Sequence, residues 1–276
     1  MSVRPPPLSR HPSRVLARGL AEHPQCAYFA YVPTGVVDPH RLFVSVHGIT
    51  RNALEHVLLF QPWAERLGVA LIAPLFTRAA FRGYQRLEAN GGIPADEAFD
   101  LICDDARALL GLRDAALHLF GYSGGGQFAH RYLLKHPRRV ARAVIGAAGW
   151  YTFPDAAVPY PMGLATPDGA LCDPAAIAAL PPTRVIVGDA DKSRDAALNR
   201  DPRIDEQQGR NRHSRGRRWV KAMNAAMKAQ ELRRRCSFHS LPGATHSFAT
   251  AMQAYGLDRA VVDFLFHPTD PSLDEN

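Results

Sequence analysis

From residue 27 to residue 266 the chain alternates short apolar runs with longer stretches of helical spacing. A short run without polar alternation is buried on both faces. An open, mainly parallel sheet with helices on both sides provides that burial, so the fold class is α/β. The pattern predicts strands over Ala27–Val32, Arg41–Val46, 69–73, 116–120, 140–148, 183–187 and 236–241. It predicts helices over 52–67, Ala95–Leu110, 127–136, 217–234 and 248–266, with Leu54, Val57, Leu58 and Trp63 as buried positions of the first. Residues 76–94 form a long connection rich in aromatic and polar residues, and a loop of that length in a compact domain usually serves function.

Length and composition agree with one domain. The chain has 276 residues, 46% of them hydrophobic and 21% charged, which suits a globular core. We expect a flexible tail over 1–25, one domain over 26–267 with a lid insertion at about 149–182, and a C-terminal tail over 268–276. No run approaches the ~20 apolar residues of a membrane span, and the first residues lack the apolar run of a secretory signal. Cys26, Cys103, Cys172 and Cys236 show no metal-ligand spacing and read as reduced thiols. A cytoplasmic setting follows as the expectation.

The net charge of +7 is concentrated. Residues 192–235 hold 14 Lys/Arg against 5 Asp/Glu, a net +9, so the remainder sums to −2. Arg210, Arg212, Arg215, Arg217 and Arg218 form the densest run. Such a run is either a solvated face or, through one or two arginines at a site entrance, an attractor of anionic substrates. It lacks interleaved stacking aromatics, so no nucleic-acid partner is expected.

The chemistry centres on Gly121-Tyr122-Ser123-Gly124-Gly125, a G-x-S-x-G pattern between a predicted strand and a predicted helix. A serine that attacks a carbonyl must project from a very tight turn. Cβ atoms two residues before and after it would collide with the strand and helix beside them, so both places are glycine. Helix N–H groups then point to where an oxyanion develops.

A serine hydroxyl also needs a base, and the base needs an orienting group. His246 lies in a loop directly after the last strand, and Asp189 and Asp191 both end the strand before it. Asp191, further into the loop, has the better reach; Asp189 suits a turn. Oxyanion donors are expected from the N–H of Gly124 and of Ile49, with His47 holding the loop structurally. Tyr122, Trp150, Tyr151, Phe153 and Tyr160 are candidate pocket residues, with Phe248, Phe81 and Tyr84 weaker ones. The aromatics of the 149–182 insertion equally suit a small satellite core.

Together these residues resemble the α/β-hydrolase superfamily of serine esterases, over about Tyr28 to Phe266. Within it the chain looks most similar to the polyhydroxybutyrate depolymerase and feruloyl-esterase-like group. The likeness rests on Tyr31-Val32-Pro33, Val46-His47-Gly48, the run from Gly121 to Gly126, the turn from Gly188 to Asp191, and Gln208-Gly209-Arg210-Asn211-Arg212. The resemblance implies an α/β-hydrolase fold and hydrolysis of a small-molecule carboxylic ester through an acyl-serine, with no cofactor and no metal. A serine at position 123 departs from the cysteine of dienelactone hydrolases and the aspartate of dehalogenases and epoxide hydrolases. Secreted polymer depolymerases carry signal peptides, disulfides and binding modules that this sequence lacks, so small or oligomeric esters are the expected substrates. A thioesterase or acyltransferase on the same residues, or a non-catalytic binding protein on the same scaffold, are the alternatives.

Overall fold

The structure, a computed structural model, describes residues 14–89, 92–112, 114–167, 169–171 and 177–267. The C-terminal tail at 268–276, the first 13 residues and Cys172 lie outside the described residues.

The sheet contains β1 (Arg14–Gly19), β2 (Ala27–Val32), β3 (Arg41–Val46), β4 (Ala70–Pro74), β5 (Ala116–Tyr122), β6 (Val140–Gly146), β9 (Thr183–Gly188) and β10 (Ser237–Leu241). Their order is β1-β2-β4-β3-β5-β6-β9-β10. The pairs β1/β2 and β2/β4 are antiparallel and every other pair is parallel. A short hairpin, β7 (Ala165–Thr166) with β8 (Gly169–Ala170), stands apart. The helices are α1 (Ala53–Leu67), α2 (Ala95–Leu110), α3 (Gly124–Lys135), α4 (Pro202–Gln208), α5 (Arg212–Ala229), α6 (Phe248–Ala254) and α7 (Leu257–Phe266). The central strands β4 and β5 are buried almost throughout, as continuous apolar runs require. Among the described residues no helix is long and apolar enough to cross a membrane.

The elements differ from expectation where tertiary contacts decide. Residues 14–19, expected in the flexible tail, form the edge strand β1; Arg18 makes a bidentate pair with Asp105 of α2, at 2.6 and 2.8 Å, that pins it. Helix α3 begins at Gly124 rather than 127, because Ser123 and its successors pack into the sheet despite glycine's poor helix propensity. Helix α5 begins five residues before the predicted start, capped by Asn211, whose side chain accepts the Ser214 N–H. The last predicted helix is two, broken at Gly256 in the left-handed conformation. On α1, Val57 is buried and Trp63 half-buried, but Leu54 and Leu58 are exposed. Cys26, Cys103 and Cys236 are buried and free.

Candidate active site

The parallel strands bring Ser123, Asp191 and His246 to one end of the sheet, each just beyond the carboxyl end of a strand. Ser123 sits between β5 and α3 with φ 54° and ψ −111°, a left-handed conformation that costs a non-glycine residue ~1–3 kcal/mol. Its N–H donates to Gly146 O of the adjacent β6 at 2.8 Å, which holds the turn. The glycines on either side are sterically forced. A Cβ at Gly121 would lie 2.1 Å from Gly125 O, and one at Gly125 would lie 2.0 Å from Val46 O of β3.

The loops after β9 and β10 are tied together before any functional side chain is considered. Asp189 N–H donates to Leu241 O at 3.1 Å and Ala190 N–H to Ala244 O at 3.2 Å. Gly243 N–H donates to Asp189 Oδ1 at 2.7 Å, so Asp189 holds the turn. That leaves Asp191 to meet the histidine. His246 Nδ1 is 2.8 Å from Asp191 Oδ2, and Nε2 is 3.0 Å from Ser123 Oγ. A carboxylate only accepts, so Nδ1 carries the proton; Nε2 is then free to accept from the Ser123 hydroxyl.

The other oxygen of Asp191 faces an arginine of the basic run. Arg212 Nη1 donates to Asp191 Oδ1 at 3.2 Å, and the guanidinium grips Asp195 with Nη1 at 2.6 Å and Nη2 at 2.9 Å. Arg212 and Asp191 are each 1% exposed. Burial pulls the pKa of this guanidinium down, but the hydrogen bond to Asp195 and the two carboxylate charges hold it above the usual value. Arg212 in turn holds the Asp195 carboxyl well below the usual carboxylate range. Arg215 is also buried, donating to Gly209 O, Gly149 O, Asn199 O and Asp205 Oδ1. Arg210, Arg217 and Arg218 are exposed. The run is therefore a solvated face at three positions and a buried ionic network at two, and neither buried arginine lines the cleft.

The cleft beside Ser123, ≈ 420 Å³, is lined by Ile49, Tyr122, Phe248 and Ala249 on its apolar side and by Thr50, Asn52 and Glu55 on its polar side. A larger groove of ≈ 590 Å³ lies at the opposite end of the sheet, among Asp104, Arg107 and Arg139, far from these groups. Tyr122 stacks on the His246 ring at 5.7 Å, and Phe248 stacks on His56 at 3.9 Å. Trp150 and Tyr151 do not line the cleft. Trp150 packs under the Arg131 guanidinium at 4.4 Å, and Tyr151 stacks on Trp219 at 5.3 Å. Both are packed away from it, because the segment they occupy is drawn to α5 by Arg215 and by Trp219 Nε1–H, which donates to Thr152 O at 2.8 Å; Tyr151 and Trp219 join the main hydrophobic core. None of the described residues of 149–182 is among those lining the cleft.

Gly124 and Ile49 are close together: a Cβ on Gly124 would lie 3.1 Å from Ile49 N and 2.5 Å from the Tyr84 hydroxyl. As the first residue of α3, Gly124 has an N–H without an intrahelical partner. The Ile49 loop is held from behind. Phe76 N–H donates to His47 Nε2 at 3.0 Å, so Nδ1 carries the proton and donates to Gly48 O at 2.8 Å. Tyr84 O–H donates to His47 O at 2.9 Å. His130, which the sequence did not single out, does the same for α3, with Nδ1–H donating to Gly126 O and Nε2 accepting Thr152 N–H.

These histidines make stability fall with acid. Burial drives His47 and His118 down to about 4 and His56 and His130 well below the usual value. The unfolded chain takes up protons from pH ~6.5 downwards while the folded chain does not, so stability is lost as pH falls through that window, by up to about 1.4 kcal/mol per pH unit for each group. Urea midpoints at pH 7, 6 and 5 are expected to fall steeply in that order; equal midpoints would contradict neutral buried imidazoles.

Known structures share this architecture. The chain is similar to poly(aspartic acid) hydrolase-1 from Sphingomonas sp. KT-1, at 25% identity and TM-score 0.78, over 92% of this chain and 99% of that one. It is similar to LpqC, a poly(3-hydroxybutyrate) depolymerase from Bordetella parapertussis, at 25% identity and TM-score 0.74, over 90% and 87%. The fold is that of the α/β-hydrolases. The α/β-hydrolase likeness extends to a putative dienelactone hydrolase from Klebsiella pneumoniae, at 14% identity and TM-score 0.56, over 94% and 100%, where it concerns the fold alone. No protein-family pattern and no curated protein matches the chain by sequence. The likeness to these proteins is therefore one of three-dimensional fold.

Proposed function

We propose that the protein is a serine esterase that cleaves carboxylic esters through an acyl-serine. One observation carries the reading: Ser123 Oγ, the His246 imidazole and the Asp191 carboxylate form a continuous hydrogen-bonded line, at 3.0 and 2.8 Å, at the mouth of a cleft. In this reading His246 Nε2 takes the Ser123 proton as Oγ bonds to the ester carbonyl carbon. Asp191 stabilises the imidazolium, and the N–H groups of Gly124 and Ile49 receive the oxyanion. Collapse of the tetrahedral intermediate breaks the bond to the alcohol oxygen, which takes the proton from His246. Water, deprotonated by His246, then attacks the acyl-serine and releases the acid. A depolymerase and a hydrolase among the similar structures support hydrolysis as the reaction class. The free, buried thiols of Cys26, Cys103 and Cys236 support a reducing, cytoplasmic setting.

The test is hydrolysis of a p-nitrophenyl ester series from acetate to decanoate. The apolar wall is short, so acetate to hexanoate are expected to exceed decanoate in kcat/KM by about tenfold or more, since each methylene gained or lost in such a pocket is worth ~1–3 kcal/mol. Preference for thioesters or for transfer to an added alcohol would move the assignment to a thioesterase or acyltransferase on the same residues.

A further inference from the structure

The polar side of the cleft has a direction. Thr50 Oγ1–H donates to Asn52 Oδ1 at 3.0 Å, which fixes the Asn52 amide so that its Nδ2–H₂ donates to Glu55 Oε2. The hydrogen bonds therefore run towards Glu55, whose two carboxylate oxygens offer about four acceptor sites. No described cation pairs with Glu55, and the lining of the cleft contains this one carboxylate outside the Ser123–His246 pair and no lysine or arginine. Arg51, the arginine nearest to Glu55 in sequence, is turned away: it donates to Phe76 O and Phe81 O and lies over the Tyr84 ring. Glu55 lies in the first turn of α1, where the helix dipole favours a negative charge.

We propose that Glu55, oriented through Asn52 and Thr50, forms a specificity subsite that accepts esters bearing a hydroxyl or ammonium group and rejects esters bearing a second carboxylate. The proposal rests on the serine-esterase reading and names its substrate class. An anionic arm in this cleft meets an uncompensated carboxylate across a few ångströms, with walls that exclude part of the solvent. A hydroxyl or ammonium instead supplies a further donor to a carboxylate that already accepts one hydrogen bond, from Asn52.

Four p-nitrophenyl esters of matched length separate these cases: hexanoate, 6-hydroxyhexanoate, 6-aminohexanoate and the monoester of adipate. Wild-type kcat/KM is expected to be at least about tenfold lower for adipate than for hexanoate, and no lower for the hydroxy and amino esters than for hexanoate. Glu55→Gln is expected to shrink the adipate deficit to within about threefold, and Glu55→Lys to reverse it. Hexanoate hydrolysis serves as the internal control for folding in both variants. An adipate deficit that is absent in wild type, or that persists unchanged in both variants, would overturn the subsite while leaving the esterase reading intact. Failure of wild type on all four esters would instead overturn the esterase reading, and the subsite with it.

Discussion

Ser123→Ala is expected to lower kcat for p-nitrophenyl butyrate by about 10⁵–10⁶-fold, with KM changed little. The substitution keeps the Cβ that the turn already accommodates and removes only the oxygen 3.0 Å from His246 Nε2. The Gly121 and Gly125 contacts that set the turn are untouched, so the melting temperature should stay close to that of wild type. His246→Ala is expected to cost about as much. In the proposed mechanism the two side chains act in one proton transfer, so the double variant should be hardly worse than either alone. Additive losses would mean that they act separately.

Arg212→Met carries the largest expected effect on stability. The guanidinium is shared between Asp191 Oδ1 and both oxygens of Asp195, inside a region where it is 1% exposed. Removing one partner of a buried ion pair leaves uncompensated charge and costs ~3–5 kcal/mol. For a chain of this size that is a fall of roughly 10 °C in melting temperature. It also frees Asp191 from the contact that sets its angle to His246. A displaced orienting group acts on the transition state more than on binding, so kcat is expected to drop by about 10²-fold with KM within about threefold. Arg212→Lys keeps the charge but cannot grip Asp195 through two nitrogens, and should fall between the two.

The pH dependence of that loss has a definite sign. Asp195 has its folded pKa pushed below the unfolded value by Arg212. Its contribution is present above the usual carboxylate range of ~4 and is lost as pH falls through the lower, folded value. Urea melts should show a wild-type advantage over Arg212→Met that is full at pH 7 and narrows below pH ~4. An advantage independent of pH would assign the effect to packing of the arginine stem.

The strands were readable because continuous apolar runs have few alternatives. Ala27–Val32 and Arg41–Val46 coincide with β2 and β3. The two glycines flanking the serine were readable because the contacts that forbid a side chain are local to the turn and its neighbouring strand. What sequence reasoning missed depends on partners distant in the chain. Val15 to Gly19 become a strand only through pairing with β2 and the grip of Arg18 on Asp105, 87 residues away. Arg212 and Arg215 look like part of a solvated run until Asp191, Asp195 and Asp205 are folded onto them. Trp150 and Tyr151 read as pocket walls because they follow the strand beside the nucleophile. Their real partners, Arg131 and Trp219, come from α3 and α5. Glu55 was overlooked for a simpler reason: an acidic residue in the first turn of a helix is the expected ornament of a helix start.

The most direct measurement is reaction of the folded protein with a fluorophosphonate, followed by peptide mass spectrometry. An activated serine within an oxyanion site displaces fluoride and retains the phosphonyl group, so a single adduct on Ser123 is predicted, absent from Ser123→Ala and strongly slowed in His246→Ala. No adduct, or an adduct on another serine with Ser123 unmodified, would contradict a nucleophilic Ser123.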